Sequence, residues 1–148
     1  MQPEDFIAQL SGPAQELAKT SKIPASVTVA QAALETGWNL KAPANNIFGI
    51  KADRSWAGSV LYLNTHEVIN GIKTPITDKF RAYKTFLGSL NDHAQFLLTN
   101  PRYKPCFATT NALDFCKQLQ ACGYSTSPIY AQTLIEIIQQ HNLLALDK

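Results

Sequence analysis

The stretch Val27-Thr28-Val29-Ala30-Gln31-Ala32-Ala33-Leu34-Glu35-Thr36-Gly37-Trp38 decides the reading of this chain. Val27, Ala30 and Leu34 recur at helical spacing and give one apolar stripe. Pro24 suits the opening of that helix and Gly37 its C-cap, so a helix is predicted over 24–36. Glu35 then sits in the last turn. There the negative end of the helix dipole disfavours a carboxylate, and partial burial beside Trp38 would disfavour it further. Both effects raise the pKa, as a general acid working near neutral pH requires. On spacing alone, a solvated helical Glu is the plainer alternative.

Upstream, Phe6, Ile7, Leu10, Ala14, Leu17 and Ala18 predict a helix over 4–22, bent or broken at Gly12-Pro13. Downstream, residues 39–47, with Pro43 and Asn45-Asn46, read as loop. Asn70-Gly71 is the preferred pair for a type I′ hairpin turn between strands at 59–69 and 72–83. Three further helices are predicted at 85–98, 110–121 and 128–142. Gly123 should cap the second, and Ser127 and Pro128 should form the N-cap and first position of the third. The chain reads as one α+β domain over 1–148, mainly helical, with one β-hairpin.

A two-residue turn fixes the hairpin register: Ile69 opposite Ile72, Glu67 opposite Thr74, Leu61 opposite Phe80. Side chains alternate faces along a strand. Glu67 therefore shares a face with Leu61, Leu63, Thr65, Ile76 and Phe80, and Asp78 joins that face opposite Leu63. Asn64, His66, Lys73, Thr77, Lys79 and Arg81 take the other face. A bulge near Pro75 would reverse these assignments. A carboxylate on the apolar side of a ribbon suits a groove wall.

Paired carboxylates are what glycoside hydrolysis needs: one protonates the leaving oxygen, the other activates water or stabilises the oxocarbenium-like state. Trp38, Phe48, Trp56, Tyr62, Tyr83, Tyr124 and Tyr130 are candidates for sugar stacking, with core packing as the alternative for most. Tyr124 follows Gly123 in a break between helices, where a hydroxyl can project into a groove. Asn45 and Asn46 can hydrogen-bond N-acetyl groups.

Composition excludes several classes. The 148 residues carry a net charge of +2, with no Lys/Arg cluster, which argues against nucleic acid as a partner. No segment reaches the ~20 apolar residues of a membrane span. The three cysteines, Cys106, Cys116 and Cys122, lack framework or zinc-ligand spacing and read as small buried hydrophobes, one disulfide being possible in an oxidising compartment. His66, His93 and His141 form no metal motif, and no Gly-rich phosphate loop is present. Neither metal nor cofactor is expected. The N-terminal residues show neither a basic n-region nor an apolar h-region, so no signal peptide is expected.

Five ordered blocks resemble glycoside hydrolase family 73, the β-N-acetylglucosaminidases of bacterial peptidoglycan. They are Ala30–Trp38, Asn46-Ile47-Phe48-Gly49-Ile50-Lys51-Ala52, Lys79-Phe80-Arg81-Ala82-Tyr83, Asn100-Pro101-Arg102-Tyr103 and Gly123–Ala131. Within the family they are most similar to the C-terminal hydrolase domain of flagellar rod-assembly muramidases. The resemblance implies a lysozyme-like fold whose hairpin flanks a groove. It implies cleavage of the β-1,4 bond between N-acetylglucosamine and N-acetylmuramic acid. Glu35 matches the family's general acid, Glu67 the assisting hairpin carboxylate, and Tyr124 a tyrosine near the reacting sugar. Ser125-Thr126-Ser127-Pro128 departs from the more familiar Ala-Thr-Asp-Pro.

The expectation is thus a monomeric enzyme acting on peptidoglycan glycan strands in the periplasm or cell wall. It would be a stand-alone phage lysin, a secreted antibacterial effector or an excised flagellar domain, arriving by phage release or non-classical export. Flagellar export or secretion machinery and an inhibitor protein are the partners such roles bring. Two alternatives stay open: a lytic transglycosylase on the same fold, and a non-catalytic wall-binding or flagellar assembly module.

Overall fold

The computed structural model describes residues 1–148. Its elements run α1 (Pro3–Ser21), α2 (Ala25–Thr36), β1 (Val60–Ile69), β2 (Ile72–Arg81), α3 (Phe86–Thr99), α4 (Ala112–Ala121) and α5 (Tyr130–Gln140). Short 3₁₀ segments at Pro43–Asn45, Pro101–Ala108 and Leu143–Asp147 complete them. The architecture is the expected α+β arrangement, helices around a core with one hairpin projecting.

α2 is the centre of the molecule. Every residue from Ala25 to Ala33 is buried, so the helix is enclosed on all sides rather than along the one stripe its spacing predicts. Small side chains at Ala30, Ala32 and Ala33 make room for α1, α4 and α5 around it. Enclosure ends at its last turn, where Leu34 is half-buried and Glu35 exposed. Gly37 closes the helix in the left-handed region (φ 64°), its N–H donating to the Ala33 carbonyl.

α1 corrects one expectation. Gly12-Pro13 does not break it; Pro13 lies inside one continuous helix. Phe6, Leu10 and Ala14 are buried along one line on both sides of the proline. The missing N–H orphans only the carbonyl of Gln9, an exposed residue that water can serve.

The hairpin has the register that the turn dictates, Ile69↔Ile72 through Val60↔Arg81, with no bulge at Pro75. Asn70 (φ 50°) and Gly71 (φ 79°) both take the positive φ that a type I′ turn demands. Leu61, Leu63, Thr65, Thr74, Ile76, Asp78 and Phe80 form the sheltered face. Arg81 departs from its predicted solvent face and is 6% exposed. At the base of the ribbon that face meets residues 50–56 instead of water. The guanidinium pairs with Asp92 at 2.9 Å and Asp53 at 3.4 Å, donates to the Lys51 carbonyl, and lies 5.0 Å over the Trp56 ring. Buried Arg is tolerated when charge and donors are satisfied in this way.

α5 starts two residues later than predicted, at Tyr130, and Ser127-Pro128 form a turn ahead of it. The reason is tertiary. Gln120 of α4 accepts from the Ala131 N–H at 2.8 Å and donates to the Pro128 carbonyl at 3.0 Å, so a side chain from another helix serves this helix end. All three cysteines are free thiols; Cys106 and Cys116 are fully buried and Cys122 partly so. Burial raises the Cys106 and Cys116 thiols to about 12, which makes them inert packing groups.

Candidate active site

Glu35 stands where two cavities meet. One, of about 500 Å³, runs past Phe48, Lys51, Tyr103 and Tyr124. The other, of about 250 Å³, runs past Thr36, Asn39, Lys41 and Asn46. Glu35 and Gly49 line both. A polymer laid along this groove would pass directly over the carboxyl. Although Glu35 is exposed at the surface, its carboxyl is hemmed in by protein, and the resulting desolvation raises its pKa above the usual carboxylate value.

Tyr124 lines the larger cavity with Glu35. Its N–H bonds the Leu119 carbonyl, which fixes the break after α4. Its ring stacks on Tyr130 at 5.5 Å, and its hydroxyl lies 2.9 Å from His93 Nε2. His93 is in turn stacked on Phe48 at 3.7 Å. Burial drives the His93 pKa down to about 3, so the ring is neutral at working pH. Desolvation also pushes the Tyr124 and Tyr130 hydroxyls upward, and the Glu35 charge adds to the effect on both. Both phenols therefore stay protonated. Tyr130 itself is buried and lines neither cavity, its hydroxyl accepting from Gln31 Nε2 at 3.0 Å. Gln31, one helical turn before Glu35, keeps a buried Oε1 without a partner.

The remaining candidates separate. Phe48 lines the larger cavity, buried but for an edge. Asn46 lines the smaller one, yet its amide is committed: Nδ2 donates to the Ile50 and Arg81 carbonyls and Oδ1 accepts from the Ile50 N–H. Asn45 donates to the Tyr83 carbonyl. Tyr83 donates its hydroxyl to Asp92, and lies edge-on to Trp56, outside both cavities. Trp38 points into the protein, packed on Phe6 and 4.7 Å from the His141 ring. Glu67 lines neither cavity. It is half-exposed on the hairpin, 3.2 Å from Lys51 Nζ, which also holds Asp78 at 2.7 Å. Lys51 is thus the link between hairpin and groove. The pairing raises its own pKa, and its ammonium holds the Asp78 carboxyl below the usual range.

Sequence reading missed Lys51, His93 and Gln31. His93 had one legible signal: with Ser89, Leu90, Ala94 and Leu97 it falls on the buried stripe of α3, where an imidazole needs a partner. No three His, Cys, Asp or Glu side chains cluster closely enough to hold a metal ion.

Residues 11–143 match the family model described as mannosyl-glycoprotein endo-β-N-acetylglucosaminidase, the glucosaminidase family. The peptidoglycan hydrolase FlgJ of Escherichia coli K12 is 39% identical over 142 residues, 91% of this chain and 45% of that protein. The exo-glucosaminidase LytG of Bacillus subtilis is 37% identical over 151 residues, 97% of this chain and 53% of that one. This chain spans about half the length of the curated relatives it matches. Among solved structures, the truncated glycoside hydrolase domain of Salmonella typhimurium FlgJ superposes with a TM-score of 0.78 at 38% identity, covering 96% of this chain and 99% of that one. The catalytic domain of the Listeria monocytogenes autolysin Auto reaches 0.87 at 30% identity, covering 98% and 87%. With its hairpin-flanked groove and its family match over most of its length, the chain belongs to the glucosaminidase family of glycoside hydrolases.

Proposed function

We propose that this protein hydrolyses the β-1,4 bond between N-acetylglucosamine and N-acetylmuramic acid in peptidoglycan, with Glu35 as general acid. The observation that carries the reading is the place of Glu35: a carboxyl with a raised pKa at the junction of two cavities. A strand in the groove would put a scissile oxygen over it, with sugars on either side. Proton transfer to that oxygen lets the leaving sugar depart neutral. Tyr124, held protonated by burial, would present its hydroxyl in the same cavity. The relatives, named as peptidoglycan hydrolases, support that substrate, and with it a site of action in the cell wall or periplasm.

A second reading has an observation behind it. Glu67 is tied to Lys51 outside both cavities, and the other carboxylate lining the larger cavity, Asp53, is engaged by Ser55 and Arg81, so no second carboxylate stands free beside the acid. That favours routes in which the sugar's own acetamido or hydroxyl group attacks the anomeric carbon, including lytic transglycosylation. The separating test is digestion of purified sacculi with wild type and Glu35→Gln, followed by mass analysis. New N-acetylglucosamine reducing ends support the hydrolase; anhydro-muramic ends support the transglycosylase. Full activity in Glu35→Gln sinks both.

A further inference from the structure

Beyond the 500 Å³ cavity lies a third, of about 780 Å³, opening between residues 53–58 and α3. Asp53 and Phe96 stand in the walls of both, just as Glu35 and Gly49 stand in the walls of the first two. The three spaces form a series running from Lys41, past Glu35, to Thr99.

The outer wall of the third cavity is a stripe of α3. Asp92, Gln95, Phe96 and Thr99 follow i, i+3, i+4, i+7 spacing and so share a face. Gln95 and Thr99 are exposed and Phe96 is half-buried. Both acids direct one oxygen inward: Asp53 Oδ1 to Ser55 and Arg81, Asp92 Oδ2 to Arg81 and Tyr83. Their other oxygens are left as acceptors. The Arg81 guanidinium, buried and already satisfied, offers little to an anion, while the two carboxylates repel one. The Gln95 amide, the carboxylate acceptors, the Thr99 hydroxyl (its proton given to the Gln95 backbone carbonyl, its oxygen left to accept) and the Phe96 ring together suit a neutral, hydroxyl-rich ligand with an apolar face.

We infer that the third cavity is a distal saccharide subsite, holding a neutral N-acetylhexosamine unit of the strand whose scissile bond lies over Glu35. The inference rests on the glucosaminidase reading and adds a length requirement to it. Affinity rises when the strand is long enough to fill the third space.

The test uses peptide-free glycan strands sorted into tetrasaccharides and long strands. Wild type is expected to show the lower KM on long strands. The double variant Gln95→Ala/Thr99→Ala should raise that KM about 3- to 10-fold, the loss of one or two hydrogen bonds, and leave the tetrasaccharide KM where it was. Gln95→Trp, which fills the space from an exposed position, should do the same. Equal KM on both lengths in wild type overturns the inference, as does a change in the variants that is the same for both lengths. The Kd of Glu35→Gln for the two strand sets, measured by calorimetry, reads the subsite without turnover. Absence of new N-acetylglucosamine ends on every strand counts against the glucosaminidase reading, while a length-independent Kd counts against the subsite.

Discussion

His93 Nε2 and the Tyr124 hydroxyl are 2.9 Å apart, and the bond joins the core of α3 to the wall of the groove. The imidazole is neutral, so one tautomer takes the phenol's proton and the other leaves that proton free to point at a bound sugar. Removing either partner leaves a buried polar group unmatched. Tyr124→Phe is expected to destabilise the fold by about 1–3 kcal/mol in urea unfolding, beyond any loss of turnover. His93→Phe should lower kcat while KM changes little, because it frees the hydroxyl to rotate without closing the groove.

His93 also sets an acid limit. Its folded pKa, about 3, lies below the ordinary 6.5. The unfolded chain therefore binds the proton more readily, and stability falls as pH drops from 6.5 toward 3. His93→Phe should flatten this part of the Tm–pH curve; an unchanged slope would assign the acid loss to other groups.

Glu35 works in the opposite sense. Its folded pKa is raised, so its contribution favours the fold below 4.5 and is lost as pH rises through the folded value. Glu35→Gln should accordingly raise Tm at neutral pH but not under acid conditions. Hydrolysis of sacculi should fall about 10²- to 10⁴-fold in the same variant. A protein that is stabler and less active is the signature of a desolvated acid kept for its proton.

Lys51→Met releases Glu67 and Asp78 together. Lys51 and Glu67 are about half-exposed and Asp78 is partly so, so the cost in stability should stay within about 1 kcal/mol. If the ammonium organises the hairpin above the groove, KM for long strands rises; an unchanged KM would leave the cluster a solvated surface ion pair.

Arg81→Met gives the contrasting case. Asp92 loses a buried partner, and Trp56 loses the cation over its ring. Breaking such a buried pair from one side should cost about 3–5 kcal/mol, visible as an early urea midpoint.

Local rules carried much of the fold. Asn70-Gly71 set the hairpin register because a type I′ turn leaves no freedom in the pairing, and Gly37 ended α2 where a left-handed cap was needed. Two failures share one cause. Arg81 and the start of α5 each depend on a group distant in the chain: the carboxylates of Asp53 and Asp92, and the side chain of Gln120. Pro13 stays helical on local terms, because the one carbonyl it orphans belongs to the exposed Gln9. In the site, Glu35 and Tyr124 were legible because helix ends and breaks mark them. Trp38 was not, since the same Gly37 turn that exposes Glu35 sends the indole back toward Phe6. Lys51 was hidden because its partners arrive through the folded ribbon.

Gln120 has a consequence for how this groove can vary. By gripping both Pro128 and Ala131 it closes residues 121–130 into a ring of set circumference, with Tyr124 on its rim. Within that ring Ser125 and Ser127 each accept a backbone N–H two residues on, a task another short acceptor side chain can take over. The length of the ring allows no such exchange. Descendants of this sequence can retune the rim by substitution, whereas an inserted residue would have to break the clasp or carry the tyrosine away from the acid.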